Sequence, residues 1–246
     1  SMFSGFGKIN YTWDEKYLAS FTLRRDASSR LSKDHNYDWF PSFSAGWRIS
    51  NEKFMQNTRS WLNELKIRGS WGINGNDLID NEAFYAKYLM SLDRGSYNMN
   101  GDGNTLSPGA YRIRTTNPDL KWEESEQTDI GLDLAFFNSA LTFTADYYIK
   151  KTNGMIIEMP IPSYVGESKP YGNVGDMENS GVEFELGYRG HVGDFSYSVK
   201  ANASYLHNVL KNLGNDTGFL NYGINQFSDG GTRAENGLPF PFFYGY

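Results

Sequence analysis

The sequence predicts an all-β fold: an antiparallel transmembrane β-barrel segment of about eight strands, with short turns at one end and long loops at the other. Three observations carry this. Apolar residues recur at every second position through most of the chain, and helical period is nearly absent. Most runs are about ten residues long, which is what a tilted membrane-spanning strand needs. Short and long connections alternate along the chain, the order expected of periplasmic turns and extracellular loops.

The first run sets Ile9, Tyr11 and Trp13 against Lys8, Asn10 and Thr12. A turn at 14–16 leads to Tyr17, Ala19, Phe21 and Leu23, which alternate with Ser20, Thr22, Arg24 and Asp26. After a loop at 27–38, Trp39, Pro41, Phe43, Ala45, Trp47 and Ile49 oppose Ser42, Ser44, Gly46, Arg48 and Ser50. The one longer connection on the short-turn side, 51–64, begins with a segment (50–55) that reads as a capped helical turn. The fourth run alternates Leu65, Ile67, Gly69, Trp71 and Ile73 with Lys66, Arg68, Ser70 and Gly72. The longest loop, 75–121, precedes Ile130, Leu132, Leu134 and Phe136, which interleave with Gln127, Asp129, Gly131 and Asp133. A tight turn at 137–140 gives Leu141, Phe143, Ala145, Tyr147 and Ile149 against Thr142, Thr144, Asp146, Tyr148 and Lys150. Loop 152–176 leads to Val182, Phe184, Leu186 and Tyr188 against Glu183, Glu185, Gly187 and Arg189. Beyond a turn at 190–194, Phe195, Tyr197, Val199, Ala201, Ala203 and Tyr205 oppose Ser196, Ser198, Lys200, Asn202 and Ser204, and a last long connection starts at 208.

A compact soluble domain rarely holds several structureless loops longer than ~15 residues, which favours the barrel over a sandwich. Aromatic placement agrees with it. With the tight turns down, Tyr11, Trp13, Tyr17, Trp47, Phe136, Tyr188, Phe195 and Tyr197 fall at a lower interface. Trp39, Trp71, Trp122, Tyr147 and Tyr205 fall nearer an upper one, as two headgroup belts would require. The apolar face, including Phe43, Ala45, Trp47, Phe143, Ala145, Phe184, Leu186, Val199 and Ala201, is expected to meet lipid. The opposite face carries Arg24, Arg48, Lys66, Arg68, Asp129, Asp133, Asp146, Glu183 and Glu185, the candidate lumen-facing residues. That many charges in a small closed barrel would need complete pairing at a large desolvation cost. A wide, water-filled or plugged lumen keeps them solvated, so the eight strands are expected to form an open, curved sheet with unpaired edges rather than a closed barrel.

Composition narrows function by exclusion. The chain has 23 basic and 29 acidic residues, a net charge of −6, and no cysteine. The acidic balance argues against nucleic acid as a partner, and the missing thiols exclude disulfides, thiolate metal sites and cysteine nucleophiles. His35, His191 and His207 lack ligand spacing, and Asn98-x-Asn100-x-Asp102-Gly103 lacks the bidentate Glu of a calcium loop, having Gly109 there. Glu123, Glu124 and Glu126 sit at a strand's upper end, where a solvated rim or partner contact outweighs paired catalytic carboxylates. Ser42-Phe43-Ser44-Ala45-Gly46 lacks the first glycine of a nucleophile elbow, and Gly5-x-Gly7 does not continue into a dinucleotide fingerprint. No enzyme and no cofactor are expected. The long loops carry Tyr85, Tyr88, Tyr97, Tyr111, Tyr164, Tyr171 and Tyr222, with Phe219 and Phe227, as candidate aromatics for cargo or a lid. Packing of the loops on one another is an equal reading of the same rings. Residues 1–7 show neither the basic nor the apolar region of a signal peptide, and Pro239 and Pro241 interrupt the last run. The chain is accordingly expected to be a piece of a longer protein.

Several stretches resemble the SusC/RagA-type TonB-dependent transporters of Gram-negative outer membranes. Residues 23–30, LRRDASSR, look like the family's LRRDGSSR, with Ala27 in place of Gly. Residues 40–50, FPSFSAGWRIS, resemble its FPSxSAGWRIS, and LKIRGSWG at 65–72 and NPDLKWE at 117–123 are similarly close. So are DYY at 146–148, NVG at 173–175 and ENSGVE at 178–183, in the family's order along nearly the whole chain. The resemblance implies a barrel of about 22 strands filled by an N-terminal plug. It further implies drive from the TonB complex through an N-terminal region not in this sequence, a SusD-like lipoprotein lid, and a glycan or peptide cargo. The chain would then be a middle portion of the barrel, in contact with outer-membrane lipid. Two other readings stay open: a soluble carbohydrate-binding β domain, and an autonomous eight-stranded outer-membrane barrel with an adhesive or structural role.

Overall fold

The computed structural model spans residues 1–246 and describes all but 80–87, 92–96, 100, 102–106, 108, 160, 216, 225–226 and 245–246. Strand-forming alternation dominates the sequence, and the chain folds as strands: β1 (Met2–Trp13), β2 (Tyr17–Ser28), β3 (Tyr37–Arg48), β4 (Leu62–Asn76), β5 (Tyr88–Ser91), β6 (Gly109–Arg112), β7 (Glu123–Phe136), β8 (Leu141–Glu158), β9 (Tyr171–Val192), β10 (Phe195–Asn212), β11 (Phe219–Ile224), β12 (Phe227–Glu235) and β13 (Phe242–Tyr244). The eight expected strands form one antiparallel sheet in the order β1-β2-β3-β4-β7-β8-β9-β10. The β5-β6 hairpin and the β11-β12-β13 sheet lie inside the long connections 75–121 and 208 onward, where alternation predicts no strand. Their runs are too short, or too interrupted by Gly, to show a period of two. β1 and β10 are the two edges of the main sheet, with no ladder between them among the described residues, so the barrel wall is open in this chain.

Register decides which face each side chain joins, because a slip of one residue inverts a strand. One row of partners crosses the sheet as Trp13, Tyr17, Trp47, Ile67, Leu132, Ala145, Phe184 and Ala203. The next row crosses as Thr12, Leu18, Gly46, Arg68, Gly131, Asp146, Glu183 and Ser204. One face is therefore apolar across all eight strands, and the other polar and charged, as the alternation predicts. The apolar face is uncovered: Phe43 is 49% exposed, Phe184 44% and Leu186 47%. Among the described residues no second sheet covers these side chains, unlike the interior of a soluble sandwich.

The tight turns use left-handed backbone, whose twist matches that of the flanking strands. Asp14 and Glu15 turn β1 into β2, Phe137, Asn138 and Ser139 turn β7 into β8, and Gly193 turns β9 into β10. On the same side, 3-10 turns at Ile49–Asn51 and Lys53–Thr58 replace a tight turn. The helical turn is present, but its expected cap is not. Ser50 Oγ is buried without a hydrogen-bond partner, and Glu52 makes no side-chain cap bond. Instead the Glu52 carboxylate accepts hydrogen bonds from Tyr17 OH at 2.9 Å and Trp47 Nε1 at 3.2 Å. The ring pairs Trp13–Tyr17 and Tyr17–Trp47 join β1, β2 and β3 at the lower end of the apolar face, and Tyr188–Tyr197 joins β9 and β10 there.

The upper end departs further from expectation. β8, β9 and β10 run to 18, 22 and 18 residues, longer than a spanning strand needs, so much of the supposed loops 152–176 and 208 onward is strand. The β3–β4 ladder ends at the pair Ser42–Gly72, and a core of Leu31, Phe40, Leu120 and Trp122 forms at that end. Trp122 belongs to this core rather than to the upper belt: it is 4% exposed, edge-on to Phe40 at 5.5 Å. Its burial follows from Leu31 and Leu120 packing with Phe40 around it, with Ile156 and Tyr171 against that cluster. Ala27 is an ordinary strand residue paired with Phe3 and Tyr37, so alanine costs nothing where the family resemblance has Gly.

Candidate functional site

The charged face of the sheet is the candidate site, and its side chains neutralise one another across strands. At the lower end Arg48 of β3 reaches Glu64 of β4 at 3.6 Å. Higher up, Lys66 and Arg68 of β4 both reach Asp133 of β7 at 3.2 Å. The Arg68 guanidinium continues past β7 to Asp146 of β8, at 2.7 Å. Gly131 makes that reach possible, since a Cβ there would lie 2.5 Å from both Arg68 Cζ and Asp146 Oδ1. Asp129 accepts hydrogen bonds from Ser70 Oγ and Gln127 Nε2, and Glu185 pairs with Lys200 of β10 at 3.3 Å. Near the top Arg24 holds the buried Asp26 through Nε, at 2.8 Å to each oxygen. Glu183 has no ion-pair partner among the described residues and stands beside Asp146 and Ser204 in register. All nine charged candidates thus share one face, eight of them in direct ion pairs or hydrogen bonds.

Small residues leave room beside this lattice. A concavity of about 320 Å³ is lined in part by Ser20, Ser44, Gly46, Lys66, Arg68 and Asp129. No group of three or more His, Asp or Glu among the described residues is arranged to hold a metal ion. The acidic cluster after the long loop is structural: Glu123 accepts from Asn76 Nδ2 and Ile156 N, and Glu126 from Trp71 Nε1.

The loop aromatics separate into kinds. Tyr88, Tyr97 and Tyr164 are exposed, Tyr164 by 89%. Tyr111 is half-buried in β6 opposite Leu89, and Tyr171 packs on the Leu31–Trp122 core with Arg114 over its ring at 4.7 Å. Tyr85 and the Tyr222 side chain lie outside the described residues. Two loops are clasped together, since Glu167 accepts from Thr115 Oγ1 and Arg112 Nε at 2.7 Å each. Those two bonds hold the Glu167 carboxyl below the usual range. A second clasp passes through Asn173, whose Oδ1 accepts from Lys121 N while Nδ2 donates to Lys121 O and Gly154 O. Sequence reasoning missed Gly131 and Asn173 as positioning residues. The signal for the first was a glycine within a strand, at the parity of the charged face and between Arg68 and Asp146.

An open antiparallel wall with one apolar face, one charged face, aromatic belts and overlong strands at a single end defines a β-barrel membrane protein. The family description "TonB dependent receptor-like, beta-barrel" matches residues 2–244, and the chain belongs to that family. Its relatives are of the SusC/RagA type. TonB-dependent receptor P26 of Formosa agariphila is 35% identical over 244 residues, 98% of this chain and 24% of the relative. TonB-dependent receptor SusC of Bacteroides thetaiotaomicron is 34% identical over 218 residues, 87% of this chain and 21% of that protein. The structure of the RagAB peptide importer in its closed-closed state superposes with a TM-score of 0.84 at 28% identity, over 98% of this chain and 25% of that one. The chain spans about a quarter of the length of these relatives. The family is one of transporters of the Gram-negative outer membrane, not a class of enzymes.

Proposed function

We propose that the protein containing this chain imports a bulky polar nutrient, a glycan or a peptide, across a Gram-negative outer membrane, driven by TonB and working with a SusD-like lipoprotein. The chain supplies barrel wall and extracellular loops, and no reaction centre. The observation that carries this reading is the open eight-stranded sheet with a continuous apolar face and an ion-paired opposite face. In a barrel of many such strands, Arg24, Arg48, Lys66, Arg68, Asp129, Asp133, Asp146, Glu183 and Glu185 line a wide lumen, where charges of both signs select no small ion. The exposed Tyr88, Tyr97 and Tyr164 sit on the loops that meet cargo or lid. Tyr171 and Tyr111 support the loop assembly.

A clean test removes the β5-β6 hairpin (88–112) from the full-length transporter. Removing all of 75–121 would take Leu120 out of the buried core and unseat Trp122, confusing loss of folding with loss of function. The hairpin deletion is expected to lower cargo capture or lid docking while the barrel stays folded and heat-modifiable. Unchanged uptake and unchanged lid binding would overturn the placement of function in this loop.

A further inference from the structure

Arg24 and Arg25 are neighbours in sequence with opposite fates. Arg24 belongs to the charged face and is neutralised by Asp26. Arg25 belongs to the apolar face, in register between Gly5 of β1 and Trp39 of β3. Its guanidinium lies over the Tyr37 ring at 4.6 Å and the Trp39 ring at 5.3 Å, and all three side chains are exposed. Asp26 and Asp38 pair with each other on the opposite face, so no carboxylate stands beside Arg25 in the ladder. The other cations at this end of the apolar face do have acidic neighbours: Lys211 pairs with Glu178 at 3.2 Å, and Lys151 stands between Glu126 and Glu178. The segment from Tyr17 in the lower belt up to Ala27 has about the 9–11 residues of a tilted spanning strand. Arg25 is therefore at the upper headgroup level, with its stem along apolar surface and its N–H groups free to bond outward.

We infer that Arg25, Tyr37 and Trp39 form a binding site on the outer wall for the phosphate of an outer-leaflet glycolipid headgroup. Cation–π contact with two rings holds the guanidinium in place, and its N–H donor fork matches the oxygens of a phosphate. On β1 the residue paired with Arg25 is Gly5, which places no side chain of its own beside the guanidinium. The two aromatic rings offer surface to the sugar that carries the phosphate.

This inference rests on the apolar face meeting lipid, and the experiment separates the two claims. Delipidated full-length transporter in detergent is titrated with lipid A carrying its phosphates, and with the same lipid after their removal, retention being read by native mass spectrometry. The wild type should retain the phosphorylated lipid about fivefold better, the effect of one well-placed cation at a charged headgroup layer. Arg25→Gln should abolish that preference, Arg25→Lys should keep part of it, and millimolar inorganic phosphate should not compete. Equal retention of both lipids by the wild type, a preference that survives in Arg25→Gln, or displacement by inorganic phosphate would overturn the site while leaving the membrane-facing wall intact. A full-length protein that stays in solution without detergent and retains neither lipid would overturn the lipid-facing reading itself, and the site with it.

Discussion

At the scale of single residues, the charged face depends on glycine as much as on charge. Arg68 reaches Asp146 only because Gly131 presents no side chain between them. Gly131→Ala is expected to displace the guanidinium and lower stability by about 1 kcal/mol, since the pair is partly exposed and screened. Gly69→Ala is the control: its Cβ would meet nothing nearer than Asp129 O at 3.7 Å, and a change within ~0.5 kcal/mol is expected. Chemical denaturation of both variants tests the contrast, which a similar loss in each would contradict. At the opposite interface, hydrogen bonds from Tyr17 and Trp47 hold the Glu52 carboxyl below its ordinary value of 4.5. A depressed folded-state value means stabilisation that is present above the ordinary value and lost as pH falls through the depressed one. Melting temperature should therefore fall more steeply below about pH 4.5 in the wild type than in Glu52→Gln, whose side chain does not titrate. Parallel acid limbs would show that the Tyr17–Glu52–Trp47 contact contributes nothing.

At the scale of elements, the strands and their register were legible in the sequence, while the upper end was not. Alternation identifies a strand because each side chain pair answers to one face, and the turns at 14–16 and 137–140 fix how neighbours meet. Nothing in that pattern distinguishes a tryptophan at a headgroup belt from one in a local core. Trp122 is enclosed by Leu31 and Phe40, from segments distant in sequence, and by Leu120 two residues before it, a contact that period-two alternation does not encode. The same limit hid Asn173, whose amide serves Lys121 and Gly154 at once and pins the NPDLKWE stretch onto the β8–β9 ladder. Asn173→Ala leaves Lys121 N, Lys121 O and Gly154 O without these partners and should loosen that end by about 1 kcal/mol, since the Lys121 groups are exposed to water. Limited proteolysis of the full-length protein in detergent should then cut within 75–121 faster, with the spanning strands still protected. A cleavage rate equal to wild type would mean that the Leu120–Trp122 core alone holds the segment.

At the scale of the whole molecule, the eight strands are proposed to turn their apolar face to lipid and the opposite face to a wide aqueous or plugged lumen. The alternation carried that claim, and the candidate residues Arg48, Arg68, Asp129, Asp146 and Glu183 share a face as expected; which ion pairs they make could not be read, because Arg68 skips across a strand. The segment has no cysteine, so single cysteines can be placed at will. The most direct measurement is a nitroxide scan of the full-length transporter in native membranes. It would label Phe43, Phe143, Phe184 and Ala201 on one face, and Ser44, Thr144, Glu183 and Asn202 on the other, once each is changed to cysteine. Strict alternation is expected, with oxygen from the lipid phase reaching the first set and a water-soluble nickel relaxation agent reaching the second. Occlusion of Phe43, Phe143, Phe184 and Ala201 from both agents would place that face in a dry interior and overturn the lipid-facing wall.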